Sequence, residues 1–335
     1  MTHVWLIRYN GGAVSNKYRY KENIMHGVLN GLSAGKLSRR FLSLAVFLAA
    51  ALLLTASVTQ VQATEMGGGA YPNGAEDFMS GAVPPPGFYF IDYLNHYRAG
   101  TFRDSSGDSA IPGFDLKATA NVFRFIYVTK QQVFGGFWGI QAFVPVVNLD
   151  VSAAGHSQSK SGIGDIIIDP FILSWHSKNW HAVTGLDIYL PTGAYDSHDL
   201  ANIGRNYWTF EPVAAFTYVS DSGFDVSAKF MYDFNTRNDD TDYTSGQEFH
   251  VDYSIGKKFD NLSVGVGGYY YKQVTDDKQL GTKVGDGNKG QAFGIGPQIK
   301  YDYKNMSFLL KYQAETAVKN RPDGDKFWLK FVYAF

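Results

Sequence analysis

The chain has 335 residues, 45% hydrophobic and 16% aromatic, yet its mean hydropathy is −0.19, too low for a bundle of membrane-crossing helices. Charged residues are only 18%, against about 25% in an average soluble domain. The lack of Cys excludes a disulfide scaffold, a cysteine-ligated zinc site and a thiol nucleophile, and a net charge of −1 leaves no footprint for nucleic acid.

The first element is a leader. Arg39 and Arg40 precede an uncharged run from Phe41 to Leu54, and small residues follow up to Ala63. A basic flank, a short apolar core and a small-residue end describe a secretory signal, with cleavage expected after Ala63. The run is shorter than the roughly 20 apolar residues that a membrane anchor needs. Residues 1–24 are long and mixed for such a leader, so Met25 is a candidate true start. Ser38 to Leu42 also resembles a twin-arginine signal. That route exports folded proteins, which conflicts with the fold argued below. The first 63 residues hold seven of the 30 basic and one of the 31 acidic residues, so the remaining 272 carry a net charge of −7.

Residues 64–87 come next. They contain Gly67 to Gly69, Pro72 and Pro84 to Pro86, and residues of this kind build neither helix nor strand. Two readings are open: a plug-like segment inside a lumen, or a periplasmic tail.

From there to the end, apolar and polar side chains alternate in about twelve runs: 88–98, 114–129, 133–150, 163–175, 180–191, 206–219, 224–236, 247–258, 262–274, 291–301, 306–318 and 326–335. Residues 224–235 are the clearest. Phe224, Val226, Ala228, Phe230, Tyr232 and Phe234 share one face, with Asp225, Ser227, Lys229, Met231, Asp233 and Asn235 on the other. Short turns alternate with longer connections at 99–113, 151–162, 192–205, 237–246, 275–290 and 319–325. This is the outer-membrane pattern, and it places both termini on the short-turn, periplasmic side. A soluble sandwich would turn its apolar faces inward. Here the polar faces carry too many charges for a core, and the apolar faces carry Trp180, Trp208, Tyr218, Phe327 and Tyr333 near run ends. The expected fold is all-β: a transmembrane antiparallel β-barrel of about 12 strands over 88–335, with 64–87 as an N-terminal plug-like segment. Phe331, Tyr333 and Phe335 form the aromatic terminal pattern that signals assembly to the outer-membrane barrel machinery.

Several segments then carry a family resemblance: Gly81 to Phe90, Phe123 to Thr129, Phe134 to Ile140, Gly164 to His176, and Leu190 to Gly193. Together they resemble the phenol meta-pathway degradation protein family of outer-membrane transporters. The resemblance covers about 75–335. It implies a channel for hydrophobic or aromatic molecules and supplies no catalytic residues.

The lumen-facing candidates for a polar constriction are Arg124, His181, Asp187, Glu211, Lys229, Asp233, Glu248, His250, Asp252, Lys311 and Glu315. The alternative is that they only neutralise one another and prop the barrel. Arg124 interrupts an apolar run and therefore needs a carboxylate partner. Asp165 and Asp169 read as structural rather than as an acid/base pair. The aspartates at 239, 240, 242, 276 and 277 lack EF-hand spacing and read as solvated loops or lipopolysaccharide contacts. Gly265 to Gly268 and Gly294 to Gly296 sit in strands, so they are not nucleotide loops. No G-x-S-x-G or H-E-x-x-H is present, so no enzyme, cofactor or metal site is expected. The expected function is passive uptake of small hydrophobic or aromatic compounds by a monomer in the outer membrane. Its expected surroundings are lipid, lipopolysaccharide and solute. The rival readings are a structural or adhesive barrel and a barrel hydrolase.

Overall fold

A computed structural model describes residues 67–335. The leader, its cleavage position and the candidate start at Met25 lie outside the described residues. Thirteen strands form one sheet: β1 (Gly87–Arg103), β2 (Asp115–Val133), β3 (Gly136–Ala153), β4 (His156–Ile163), β5 (Ile167–His176), β6 (Trp180–Tyr189) and β7 (Thr209–Val219), then β8 (Phe224–Asn235), β9 (Glu248–Phe259), β10 (Leu262–Gln273), β11 (Gln291–Tyr303), β12 (Met306–Lys319) and β13 (Arg321–Ala334). All pairings are antiparallel between neighbours. β1 pairs with β13 on one side and β2 on the other, which closes the sheet. β4 and β5 both pair with β3, at its two ends, so together they occupy one wall position. The result is a closed barrel of twelve wall positions. Closure pairs the N–H and C=O groups that lipid cannot solvate. Among the described residues no helix is long and apolar enough to cross a membrane.

Strand parity decides which face meets lipid. In β8 the residues from Phe224 to Phe234 alternate exposed or half-exposed with buried, and the buried set is Asp225, Ser227, Lys229, Met231 and Asp233. The apolar face is outside and the polar face inside, the inverse of a soluble domain. Trp180 packs on Tyr218 and Phe88 on Phe335 at the short-turn end, with ring centroids 4.8 and 5.1 Å apart. At the long-loop end Trp208 stacks on Phe210 and Tyr232 packs on Phe234. The ten steps from Phe224 to Phe234, at about 3.3 Å each and a tilt of about 40°, span roughly 25 Å along the membrane normal, the height of an outer-membrane apolar band.

Two connections are shorter than the sequence suggests. The stretch 151–162 is a hairpin, in which β3 runs to Ala153 and β4 returns from His156. The stretch 319–325 shrinks to Asn320 between β12 and β13. Both segments stand at the long-loop end, where the two strand faces are equally wet, so hydropathy does not alternate there. Short pairs at Arg237–Asn238, Tyr243–Thr244, Lys278–Gln279 and Thr282–Lys283 join two of the long loops in a four-stranded sheet of their own.

The break between β4 and β5 is held by Asp165. Its carboxylate accepts from the Gly193 amide at 2.9 Å and the Arg205 amide at 2.7 Å. This ties the 190–208 loop to the wall. Gly193 and Gly204 touch there: a Cβ on Gly204 would lie 2.3 Å from the Gly193 carbonyl oxygen.

Candidate functional site

The barrel interior is filled with polar and aromatic side chains, and residues 67–86 bond into it. From the first part of that segment, the Tyr71 hydroxyl donates to Asp252 at 2.6 Å. The amides of Gly74 and Glu76 donate to the same carboxylate at 2.9 and 3.0 Å. Further on, the amides of Met79 and Gly81 donate to the hydroxyls of Ser227 and Thr217. Three lysines reach the segment from the opposite wall. Lys311 donates to the carbonyls of Gly74 and Glu76, Lys326 to that of Asn73 at 3.0 Å, and Lys330 to the Asp77 carboxylate at 2.7 Å. Ala75 and Val83 pack against the apolar interior cluster of Ile91, Tyr93, Ile126, Val128 and Trp328.

Glu76 is the electrostatic centre. Its carboxylate lies 3.5 Å from Arg124 and 3.7 Å from Lys229. Burial pushes this carboxyl up, but Lys229, Arg124, Lys330 and Lys311 outweigh burial and hold it down at about 2. Arg124 therefore has its carboxylate partner, contributed by the N-terminal segment rather than by a neighbouring strand. It also donates to Gln141 and to the Tyr93 hydroxyl, both at 2.8 Å, and lies over the Phe143 ring. Lys229 is 3.7 Å from Asp187 and sits over the Tyr71 ring. Burial and the neighbouring Asp252 push the Tyr71 phenol well up, so its O–H remains a donor.

A second cluster surrounds Glu315. Its carboxylate accepts from Tyr97 at 2.8 Å and from Tyr269, and lies 3.4 Å from Lys326. Lys326 in turn sits 4.2 Å from the Tyr269 ring centroid. A third cluster joins Asp233, Glu248 and His250, all fully buried, with Glu211 beside Asp233. Glu211 also accepts from the Tyr189 hydroxyl.

The interior thus brings together Arg124, Asp187, Glu211, Lys229, Asp233, Glu248, His250, Asp252, Lys311 and Glu315. His181 does not join them. It is half-buried beside the short turn after β5, and its Nδ1 lies 3.1 Å from that of His176. It follows Trp180, an aromatic of the short-turn girdle, so its level in the wall is below the charged clusters. Asp169 is buried and bonds to the Phe171 amide and to Gln141.

Sequence reasoning missed the residues that complete the clusters: Tyr71, Asn73, Glu76 and Asp77 of the segment, and Tyr93, Tyr97, Tyr269, Lys326 and Trp328 of the wall. Strand parity could have found the wall residues. Lys326, Trp328 and Lys330 follow one another at two-residue spacing on the inward face.

A closed barrel with a lipid-facing apolar band and two aromatic girdles defines a bacterial outer-membrane protein. Residues 99–331 match the family model described as "Putative MetA-pathway of phenol degradation", and the chain belongs to that family. No curated protein matches it significantly. Among solved structures it is similar to an outer membrane channel from Pseudomonas putida F1, with 17% identity over 76% of this chain and 97% of that one and a TM-score of 0.69. The β domain of the Bordetella autotransporter BrkA is 8% identical over 75% of this chain and 100% of that one, with a TM-score of 0.44. The NanC porin is 10% identical over 73% of this chain and 99% of that one, with a TM-score of 0.40.

Proposed function

We propose that the protein is a passive outer-membrane channel for small hydrophobic or aromatic compounds, with residues 67–86 acting as a plug that must move for solute to pass. The observation that carries this reading is the lining. Tyr93, Tyr97, Tyr269, Tyr271 and Trp328 of the wall are inside the barrel, and lysines face four of these rings within about 5.3 Å. A barrel built only as a scaffold gains nothing from turning so many rings into its polar interior. Rings flanked by cations offer a planar apolar solute weak stacking sites at several depths. Sites that are numerous and weak are what passage requires, because tight binding at one of them would stop release. The family match supports the same solute class.

The plug reading rests on how the segment is bonded. Four lysines and Arg124 reach its carbonyls and carboxylates, and only non-covalent contacts hold it. Displacing it would uncover the aromatic lining along the path it now fills.

The test is uptake across asymmetric vesicles whose outer leaflet is lipopolysaccharide, which slows free diffusion of aromatic solutes. Vesicles carrying the protein should take up a labelled aromatic hydrocarbon faster than empty ones, and a labelled disaccharide no faster. A chain lacking residues 67–81 should raise the aromatic rate further. Equal rates with and without protein would favour a structural barrel and refute transport.

A further inference from the structure

Of all the titratable groups in the interior, Glu248 is the most poorly served. It is fully buried, and neither of its carboxylate oxygens has a hydrogen-bond partner. A buried carboxylate without hydrogen bonds is costly unless a cation compensates its charge. Asp233 stands directly across the β8–β9 ladder from Glu248 and has an unpartnered oxygen of its own. His250, two residues along β9, puts Nε2 between them, 3.1 Å from Asp233 Oδ2 and 3.4 Å from Glu248 Oε2.

We propose that Asp233, Glu248 and His250 form a site for a divalent transition-metal ion of the zinc type. The three ligand atoms lie within 4.8 Å of one another. Metal–ligand bonds of about 2.0–2.2 Å in a tetrahedral arrangement set neighbouring ligand atoms roughly 3.3–3.5 Å apart. Of the observed edges, 3.4 Å falls within that spacing and 3.1 Å is slightly shorter. His250 Nδ1 donates to Asn73 Oδ1 at 2.6 Å, and Nε2, 3.1 Å from Asp233 Oδ2, is the nitrogen that would exchange a proton for the ion. Metal-binding histidines are regularly held this way by a partner on the other ring nitrogen.

Charge argues in the same direction. With neutral His250 the two ligand carboxylates carry two negative charges, which a divalent ion balances, and Glu211 lies beside Asp233 as a further carboxyl. An imidazolium would leave one carboxylate uncompensated. Arg321 acts on Glu248 through space but makes no ion pair with it or with Asp233, and its guanidinium lies over the Tyr271 ring at 4.0 Å. An imidazole with two carboxylates suits zinc better than calcium or magnesium, which prefer all-oxygen shells. Because Asn73 belongs to the N-terminal segment, the ion would fasten that segment to β8 and β9.

The experiment uses the untagged full-length mature protein, purified from membranes in detergent, stripped with a chelator and titrated with zinc by calorimetry. Cobalt serves as a spectroscopic stand-in. One equivalent of zinc should bind with micromolar or tighter affinity, and cobalt should give the intense visible bands of a tetrahedral N/O site. Glu248→Gln should abolish stoichiometric binding while keeping heat-modifiable gel mobility. Asn73→Ala leaves all three ligands in place and should weaken zinc binding by about 10–100-fold. This second variant keeps the test decisive if Glu248→Gln does not assemble. The proposal is overturned if the wild-type protein binds no stoichiometric zinc, or if neither variant changes the affinity.

Discussion

Glu76→Gln is the most informative single change. It keeps the size and the backbone amide bond to Asp252 but removes the negative charge that faces Arg124 and Lys229. The held-down carboxyl gives the magnitude. Moving from its ordinary 4.5 to about 2 corresponds to about 3 kcal/mol at 1.36 kcal/mol per unit. This agrees with the roughly 3–5 kcal/mol lost when one partner of a buried ion pair is removed. Lys229 keeps Asp187, and Arg124 keeps Gln141 and Tyr93, so the lower end of that range applies. A loss of about 3 kcal/mol shifts the balance between seated and released segment by about two orders of magnitude. Hydrogen exchange at residues 71–81 should speed up by that factor, and single-channel recordings in planar bilayers should show more frequent openings. The sign with pH follows from a lowered carboxyl. The stabilisation is complete above about 4.5 and is lost as pH falls through about 2. Wild-type protein should therefore approach the variant's exchange rates in that acid window, while the variant lacks this component. If Glu76→Gln exchanges and conducts like wild type at neutral pH, the charges around Glu76 do not hold the segment.

Three further changes probe other contacts. Asp77→Asn weakens the 2.7 Å bond to Lys330, a charge-assisted contact worth about 1.5–3 kcal/mol, and should raise exchange at 71–81 by one to two orders of magnitude. Gly81→Ala would place a Cβ 2.5 Å from the backbone carbon of Phe216, so the segment should lose its seat near β7 and become open to protease, with the barrel still heat-modifiable. Phe335→Ala removes the ring packed on Phe88 and Tyr333, and should lower the yield of assembled barrel severalfold, as read by gel mobility of membrane fractions.

The barrel itself was legible because the membrane writes to only one face of each strand. Each of the twelve alternating runs has a strand at its position. Legibility failed above the membrane. β4 reads His156-Ser-Gln-Ser-Lys-Ser, and β13 begins Arg321-Pro-Asp-Gly-Asp, polar on both faces because both are wet. The strands β1 to β3 have 17, 19 and 18 residues, far more than the roughly 9 to 11 that cross the apolar band, and the excess stands in water. Hydropathy therefore marks the bilayer rather than the end of the sheet.

The charged clusters were half legible, and the half that was missed has a physical reason. Parity identifies a residue as inward but does not name its partner, which is fixed by register between strands distant in sequence. Glu248 meets Asp233 only because β9 pairs with β8 in the observed register. The segment 67–86 is harder still, because two lysines bind its backbone. Lys311 bonds to the carbonyls of Gly74 and Glu76, and Lys326 to that of Asn73. A carbonyl is present at every residue, so no side-chain pattern records such contacts. What the sequence does record is the room they need. Gly74 has φ +83, and a Cβ there would lie 2.4 Å from Gln313 Oε1 and 2.8 Å from the Tyr269 ring. Gly74 therefore serves both turn and clearance. Gly67 and Gly69, which argued against regular structure in this segment, give the same clearance, since a Cβ on the first would lie 2.7 Å from the Phe102 ring and one on the second 2.7 Å from Glu248 Oε2.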